Sequence, residues 1–354
     1  MISEGHGNLL TADADALVNT VNTVGVMGKG IALQFRRAYP DMFKAYTAAV
    51  KAGEVAVGRM HVWPTGLLSG PRYVINFPTK EHWRGSSTLD FVETGLVDLV
   101  RVIRELEIKS VAVPPLGCGN GGLAWQDVEP LIINALDGLG GVDVLLYPPG
   151  ETPRAAEMPN RERRPPMSPG RAALIALMKS YADRAMEYPS LIESQKLMYF
   201  LQESGEQLRL NYVKHHYGPY ADNLRQVLRL MEGHYISGFG DGSAPIEEAE
   251  PLTILPGAAE AAIPVLDEHP ETRHRIERVL DLANGFESAY GLELLASTHW
   301  TARENPSAAT DPVEAEHEVR SWSARKGRMF TSEHIRTAWT ALHDQGWLKH
   351  ALAG

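Results

Sequence analysis

The stretch Ala16–Ala32 constrains this chain most. An apolar run carrying Leu17, Val18 and Val21 passes through Asn19 and Asn22 into a loop with Gly25, Gly28 and Gly30, and then into a helix from about Ile31. Such a run predicts a buried strand, a polar loop and a helix start, the glycines permitting close approaches that a Cβ would block. A glycine loop at a helix N-terminus presents unpaired amide N–H groups at the positive end of the helix dipole, which suits a phosphate or diphosphate. Alone, the pattern equally describes an ordinary strand-to-helix turn. The two asparagines add to it, because open α/β sheets bind ligands beyond the carboxyl ends of their strands.

A second glycine loop follows the apolar stretch Val111–Val113. Gly117, Gly119, Gly121 and Gly122 crowd around Cys118 and Asn120, and a helix is expected over Leu123–Leu136. Two such loops at two strand ends can clasp a diphosphate from both sides through backbone N–H groups. Around them, residues 1–150 alternate strand and helix patterns, which predicts an α/β layer fold. Helices are expected over Asp41–Val50 and from a Ser86 or Ser87 cap to Leu106, with further strands at Val55–Trp63, Tyr73–Phe77 and Val142–Tyr147. Residues 151–170 are proline-rich and lack apolar periodicity, so they read as a linker. Helical periodicity then dominates 171–354, with segments at 172–186, 191–203, 222–231, 271–282, 292–303, 312–325 and 332–346 and short strands near 211–212 and 252–255. The C-terminal domain is therefore expected to be mostly α-helical.

Charge limits the function classes. Lys and Arg against Asp and Glu number 12 versus 15 over residues 1–150 and 17 versus 26 over 172–354. Neither part is basic, so any DNA contact is local. Eight carboxylates without a Lys or Arg run from Asp241 to Glu271, a pattern usual for a solvated acidic loop and also able to imitate a phosphate backbone. Cys118 is the single cysteine, which excludes an internal disulfide framework and a cysteine-based zinc cluster and fits a reducing cytoplasm. The histidines include no His-Glu-x-x-His, so no metal is expected. With no apolar run near the ~18 residues of a membrane span and no signal-peptide pattern, the expectation is a cytoplasmic protein without a membrane partner.

The Asn-x-x-Asn pair followed by Gly-x-Gly-Ile-Ala resembles the ADP-ribose-binding signature of macrodomains. The longer form Met-Gly-Lys-Gly-Ile-Ala-Leu-Gln-Phe is similar to the subgroup that removes ADP-ribose from modified macromolecules, in particular its DNA ADP-ribosyl glycohydrolase antitoxins. The resemblance implies a three-layer α/β/α macrodomain with a mixed sheet over 1–150, followed by a mostly helical toxin-binding domain over 171–354. It implies hydrolysis of ADP-ribose from a DNA base, thymine in single-stranded DNA, and no cofactor. The implied partners are a DarT-type toxin and ADP-ribosylated single-stranded DNA. A non-catalytic ADP-ribose reader and a hydrolase of free ADP-ribose derivatives are the alternatives.

The same resemblance assigns ADP-ribose to Asn8, Leu9, Asn19, Asn22, Gly28, Gly30, Ile31, Ala32, Gly117, Cys118, Gly119, Asn120 and Gly121, and catalysis to Lys80, which follows Asn-Phe-Pro-Thr. Composition alone reads Lys80 as a solvated turn lysine. Beside the anomeric carbon of the distal ribose it could attack C1″ as an amine or stabilise the open sugar as a cation. Asn22 would hold the distal ribose hydroxyls, while Asn19 could instead bond loop backbone. Asn8 stands where macrodomains commonly carry Asp, so its carbonyl would accept the adenine amino group without a charge. Cys118 reads as a small side chain among glycines rather than a nucleophile. In the second part, Leu197, Phe200 and Leu201 read as a buried helix face, and Tyr217-Gly-Pro-Tyr220 as a turn whose tyrosines could belong to an apolar interface.

Overall fold

A computed structural model describes residues 1–150, 153–242 and 249–348. The chain divides into two units, Met1–Arg163 with Gly240–Ala244, and Arg164–Phe239 with Pro245–Gly354.

In the first unit the elements run β1 (Ile2–Glu4), β2 (Ala16–Asn22), α1 (Gly30–Ala38), α2 (Pro40–Lys51), β3 (His61–Pro64), β4 (Tyr73–Lys80), α3 (Leu89–Glu105), β5 (Ser110–Val113), α4 (Trp125–Leu136) and β6 (Asp143–Leu146). One sheet has the order β1-β6-β5-β2-β4-β3, parallel except for β3, which runs antiparallel to β4. The sheet is therefore mixed. Period-2 alternation along β2 sends Ala16 and Val18 into a core with α3 and α4, and Leu17 and Val21 into a core with α1 and α2. Helices cover both faces, giving three layers, and β2 is apolar on both sides as a central parallel strand must be.

Two local expectations change. The strand expected over Val55–Trp63 is only His61–Pro64, because Gly58 takes a left-handed φ of 78° and a turn closes from Arg59 N to Ala56 O at 3.2 Å. The cap of α3 is Thr88, which accepts from Phe91 N at 3.2 Å. Ser87 is instead buried against the second glycine loop, donating its N–H to Gly121 O at 3.0 Å. Part of the expected linker is held by the first unit: Arg161 N donates to Arg37 O at 2.8 Å, and Asn8 Nδ2 to Glu157 O at 2.9 Å. Asp241 belongs here too, buried and accepting from Gln34 Nε2 at 2.9 Å.

The second unit contains α5 (Pro169–Ala185), α6 (Leu191–Glu203), a hairpin of β7 (Tyr212–His215) and β8 (Gly218–Ala221), α7 (Asp222–Met231), the short pair β9 (Ile236–Ser237) and β10 (Thr253–Ile254), α8 (Ala258–Asp267), α9 (Pro270–Ala283), α10 (Ala289–Glu304), α11 (Pro306–Thr310), α12 (Pro312–Ser321), α13 (Ala324–Met329) and α14 (Ser332–Asp344). Ser190 and Glu193 form a capping box that starts α6. Every residue from Gly291 to Ala302 is buried, so α10 is the helix the others pack around. The acidic run is not one loop: α8 occupies its centre, and Glu247 and Glu248 lie outside the described residues. The helix expected over 312–325 breaks at Ser323, whose hydroxyl caps α13 by accepting from Lys326 N at 3.2 Å. Tyr217 sits in the hairpin turn, and Tyr220 is buried rather than part of an exposed apolar face.

A charge cluster unforeseen from the sequence lies inside this unit. Glu293 on α10 accepts from Arg325 at 2.7 and 3.2 Å and from Lys326, while Lys326 Nζ also donates to Ser297 Oγ at 3.0 Å. Lys196 is fully buried and donates to Pro219 O at 2.7 Å, tying α6 to the hairpin. Burial pulls Lys196 down to about 7 and Lys326 down to about 8 from the ordinary 10.5. Burial alone would raise Glu293, but Arg325 and Lys326 hold it below the usual carboxylate range. Removing one member of a buried ion pair strands the other. Glu293→Gln should therefore destabilise the protein by about 3 kcal/mol or more, read as a lowered urea midpoint. Both lysines titrate below their unfolded value, so the unfolded chain holds more protons from about pH 7 upward. Their contribution to stability should rise with pH through that window, and the urea midpoint should report this between pH 7 and pH 9.

Candidate active site

β2 lies between β4 and β5 with all three parallel, so the loops that leave their carboxyl ends converge on one sheet edge. Asn22 and Lys80, the last residues of β2 and β4, are register partners. The Asn22 side chain closes the loop beyond it: Oδ1 accepts from Val24 N at 3.1 Å and Val26 N at 3.2 Å, and Nδ2 donates to Val26 O at 2.6 Å. Tyr46 on α2 donates its hydroxyl to Asn22 O. Gly25 occupies the left-handed region at φ 81°, and the chain then reaches Gly30, where α1 begins without a side-chain cap. The first amides of α1 thus remain available at the positive end of its dipole.

The second glycine loop faces the first. A Cβ built at Gly30 would lie 3.0 Å from Asn120 Nδ2, so the loops are in contact across these residues. Within the second loop, Leu123 N donates to Gly117 O at 3.1 Å and Gly122 N to Gly119 O at 3.1 Å. Gly121 has no room for a side chain, because a Cβ there would overlap Gly117 O and Ser87 Oγ. Gly119 faces open space.

Lys80 joins these parts. It is only 8% exposed, and its Nζ donates to Asn120 O at 2.6 Å and to Gly85 O at 3.1 Å. Burial lowers its pKa from the ordinary 10.5. It is the end of a strand and nearly enclosed, which differs from a solvated turn lysine.

The remaining residues assigned by resemblance fall into distinct places. Gly28, Ile31 and Ala32 are half-buried along the first loop and the start of α1. Gly117 is buried and Cys118 half-buried, while Asn120 is exposed. Burial pushes the Cys118 thiol up to about 11, which opposes a nucleophilic role. Asn19 is fully buried and donates to Asn76 Oδ1 at 2.8 Å, which supports the sheet, while its own Oδ1 has no hydrogen-bond partner among the described residues. Asn8 caps the short 3₁₀ turn Leu9–Thr11, accepting from Leu10 N at 3.0 Å, and Leu9 is buried. Sequence reasoning missed Asn76, Ser87 and Tyr46. An asparagine inside the apolar run of β4 was the available signal for the first; the other two act through contacts that only folding creates. A groove of about 720 Å³ between α3 and α4, lined by Leu96, Val100, Arg104 and Leu131, contains none of these residues. Glu314, His317 and Glu318, which could approach a metal together, belong to α12 in the second unit.

The three-layer fold and its paired glycine loops define a macrodomain, and the family model described as Macro domain matches residues 18–132. Over 350 residues the chain is 47% identical to a DNA ADP-ribosyl glycohydrolase of Mycobacterium tuberculosis, covering 96% of this chain and 98% of the relative. The chain belongs to the DNA ADP-ribosyl glycohydrolase family, and is in that sense a hydrolase. A solved structure titled as the macrodomain of Mycobacterium tuberculosis DarG shares 62% identity, covering 42% of this chain and 99% of its own, with a TM-score of 0.42. A DNA ADP-ribosyl transferase–DNA ADP-ribosyl glycohydrolase fusion protein of Thermosipho africanus is 34% identical over 161 residues, 41% of each chain.

The geometry predicts which glycine is indispensable. Gly121→Ala must displace Gly117 or Ser87, so calorimetry should show ADP-ribose affinity falling at least about tenfold, whereas Gly119→Ala should fold with the second loop undisturbed. Cys118 should react slowly with iodoacetamide at pH 8, since almost no thiolate is present there.

Proposed function

We propose that the first unit releases ADP-ribose from a base in single-stranded DNA, with Lys80 attacking C1″ of the distal ribose. The setting of Lys80 Nζ carries this reading. A neutral amine has two N–H groups and a lone pair; Asn120 O and Gly85 O engage two donors, which leaves the lone pair for an electrophile. Burial favours that neutral form. The N–C1″ bond forms as the bond from C1″ to the base breaks, and the departing base takes up the proton that the amine sheds. The sugar then opens to an imine, which water hydrolyses to ADP-ribose and free lysine. The diphosphate lies on the amides of the two glycine loops, and the turn built by Asn22 borders the distal ribose. Thymine as the base rests on the family resemblance.

Lys80→Ala should keep ADP-ribose affinity within a few-fold while release from ADP-ribosylated single-stranded DNA is lost, because the amine is needed in the reaction rather than in binding. Cyanoborohydride should trap an adduct on the Lys80 peptide of the wild type, detected by mass spectrometry. For an attacking amine, kcat/KM should rise with pH through the depressed Lys80 pKa; a rate that falls through that range would assign the ammonium form instead. A wild type that binds ADP-ribose and releases none would be a reader.

The second unit, in this reading, binds and restrains the DarT-type toxin that writes the modification. Support comes from the Thermosipho africanus fusion, which joins the two opposing activities in one chain, and from the excess of acidic residues over 172–354. Glu250, Glu260, Glu268 and Glu271 are exposed, as a surface complementary to a DNA-gripping groove requires. The full chain carrying Lys80→Ala should still co-purify with the toxin and protect cells from it, with association slowed by salt. Failure to bind the toxin would confine the chain's action to DNA repair.

A further inference from the structure

The loop that leaves the end of β4 presents side chains that the fold does not use. Trp83 is 46% exposed and takes no part in either core of the first unit among the described residues. His82 lies beside it, with ring centroids 5.5 Å apart and planes inclined by 30°, and the Arg84 guanidinium sits over the indole at 4.5 Å. Trp83 is thus an exposed ring that lies beside a second ring and a guanidinium without core packing of its own.

The backbone beneath these rings is tied at several points. Gly85 N donates to His82 O at 2.9 Å and Arg84 N to His82 Nδ1 at 3.2 Å, which closes the turn on itself. At its start Glu81 O accepts from Thr23 N at 3.2 Å and Thr23 Oγ1 at 2.8 Å, joining it to the first glycine loop. At its end Gly85 O accepts from Lys80 Nζ at 3.1 Å. The backbone that carries these rings is thus tied to Lys80 on one side and to the loop carrying Val24 and Val26 on the other. Those two valines are themselves 43% and 38% exposed.

We propose that His82, Trp83 and Arg84 form a stacking platform for the nucleotides that flank the modified base, so that the enzyme reads single-stranded DNA as well as the ADP-ribose. The proposal rests on the reading of the site as one that cleaves ADP-ribose from DNA. Lys80 marks the bond to be cut, so the polymer leaves the pocket beside it, where this loop stands. Flat aromatic faces bind unpaired bases without regard to sequence, and a guanidinium adds cation–π and phosphate contacts. In a unit with an acidic excess, Arg84 supplies the local positive charge that the strand requires. A turn whose backbone is already tied loses little backbone freedom on binding.

The test compares ADP-ribosylated thymidine with an ADP-ribosylated oligonucleotide of about ten nucleotides, within the usual footprint of a stacking groove. For the wild type, KM should be lower on the oligonucleotide. Trp83→Ser should raise that KM about tenfold, the effect of losing one stacked base, with kcat on the oligonucleotide and both constants on the mononucleoside unchanged. Trp83→Phe should restore most of the difference, and Arg84→Gln should flatten the salt dependence of KM by about one phosphate contact. Equal loss on both substrates would overturn the platform, since it would mean a distorted ADP-ribose pocket. No loss on either would overturn it as well. Failure of the underlying reading looks different: the wild type would then release ADP-ribose from neither substrate.

Discussion

β2 is hydrogen-bonded on both sides by parallel strands, and this alignment is the constraint on which the site depends. Three neighbouring parallel strands bring three chain exits to one edge. A strand buried on both faces cannot shift register by one residue without moving its whole apolar set to the wrong layer. The core pairing runs to Val21 and Pro78, and a bulge there shifts the register so that Asn22 is opposed to Lys80 at the sheet edge. The glycine loops inherit their facing positions from it, and Lys80 then spans the gap to Asn120 O.

The proposed chemistry rests on a lysine whose desolvation is only partly compensated. Two carbonyl acceptors orient the Nζ, yet no carboxylate among its described partners balances a positive charge there. Such a setting lowers the cost of losing the proton. It also couples the position of the Lys80 amine to loop order, because Gly85 and Asn120 belong to loops that must be folded for both contacts to form. Ser87 and Gly121 supply that order by packing the second loop against the segment ahead of α3.

In the second unit a different polar device sits at the centre. Helix α10 is buried along its middle, and Glu293 on it gathers Arg325 and Lys326 from α13. Buried ion clusters add little net stability over apolar packing. They do demand one arrangement, since any slip leaves charges unpaired, and here the arrangement fixes the short α13 against α10.

Much of the first unit was legible because local patterns and tertiary needs agree there: period 2 in β2, spacings of three and four in α3, glycines where the chain turns at a strand end. Amphipathic helices such as α7 and α14 were readable for the same reason. Other features were not. The break at Ser323, made by a local serine cap, and the alanine-rich α8 were hidden behind the longer helical period and the surrounding carboxylates. Asn19 and Asn22 look alike in sequence, yet one is buried against Asn76 and the other closes the first glycine loop, because alternation and the neighbouring strand decide which way each points. The burial of Lys80 was equally hidden: its neighbours in sequence are polar, and its carbonyl partners come from residues 5 and 40 positions away. The amino-acid sequence by itself determined the layer fold and the two glycine loops, since each rests on residues close together in the chain, whereas Lys80 was singled out by the family resemblance of its Asn-Phe-Pro-Thr-Lys segment. Only the tertiary structure decided which polar groups are desolvated and what they bond, since burial is set by contacts between segments distant in sequence.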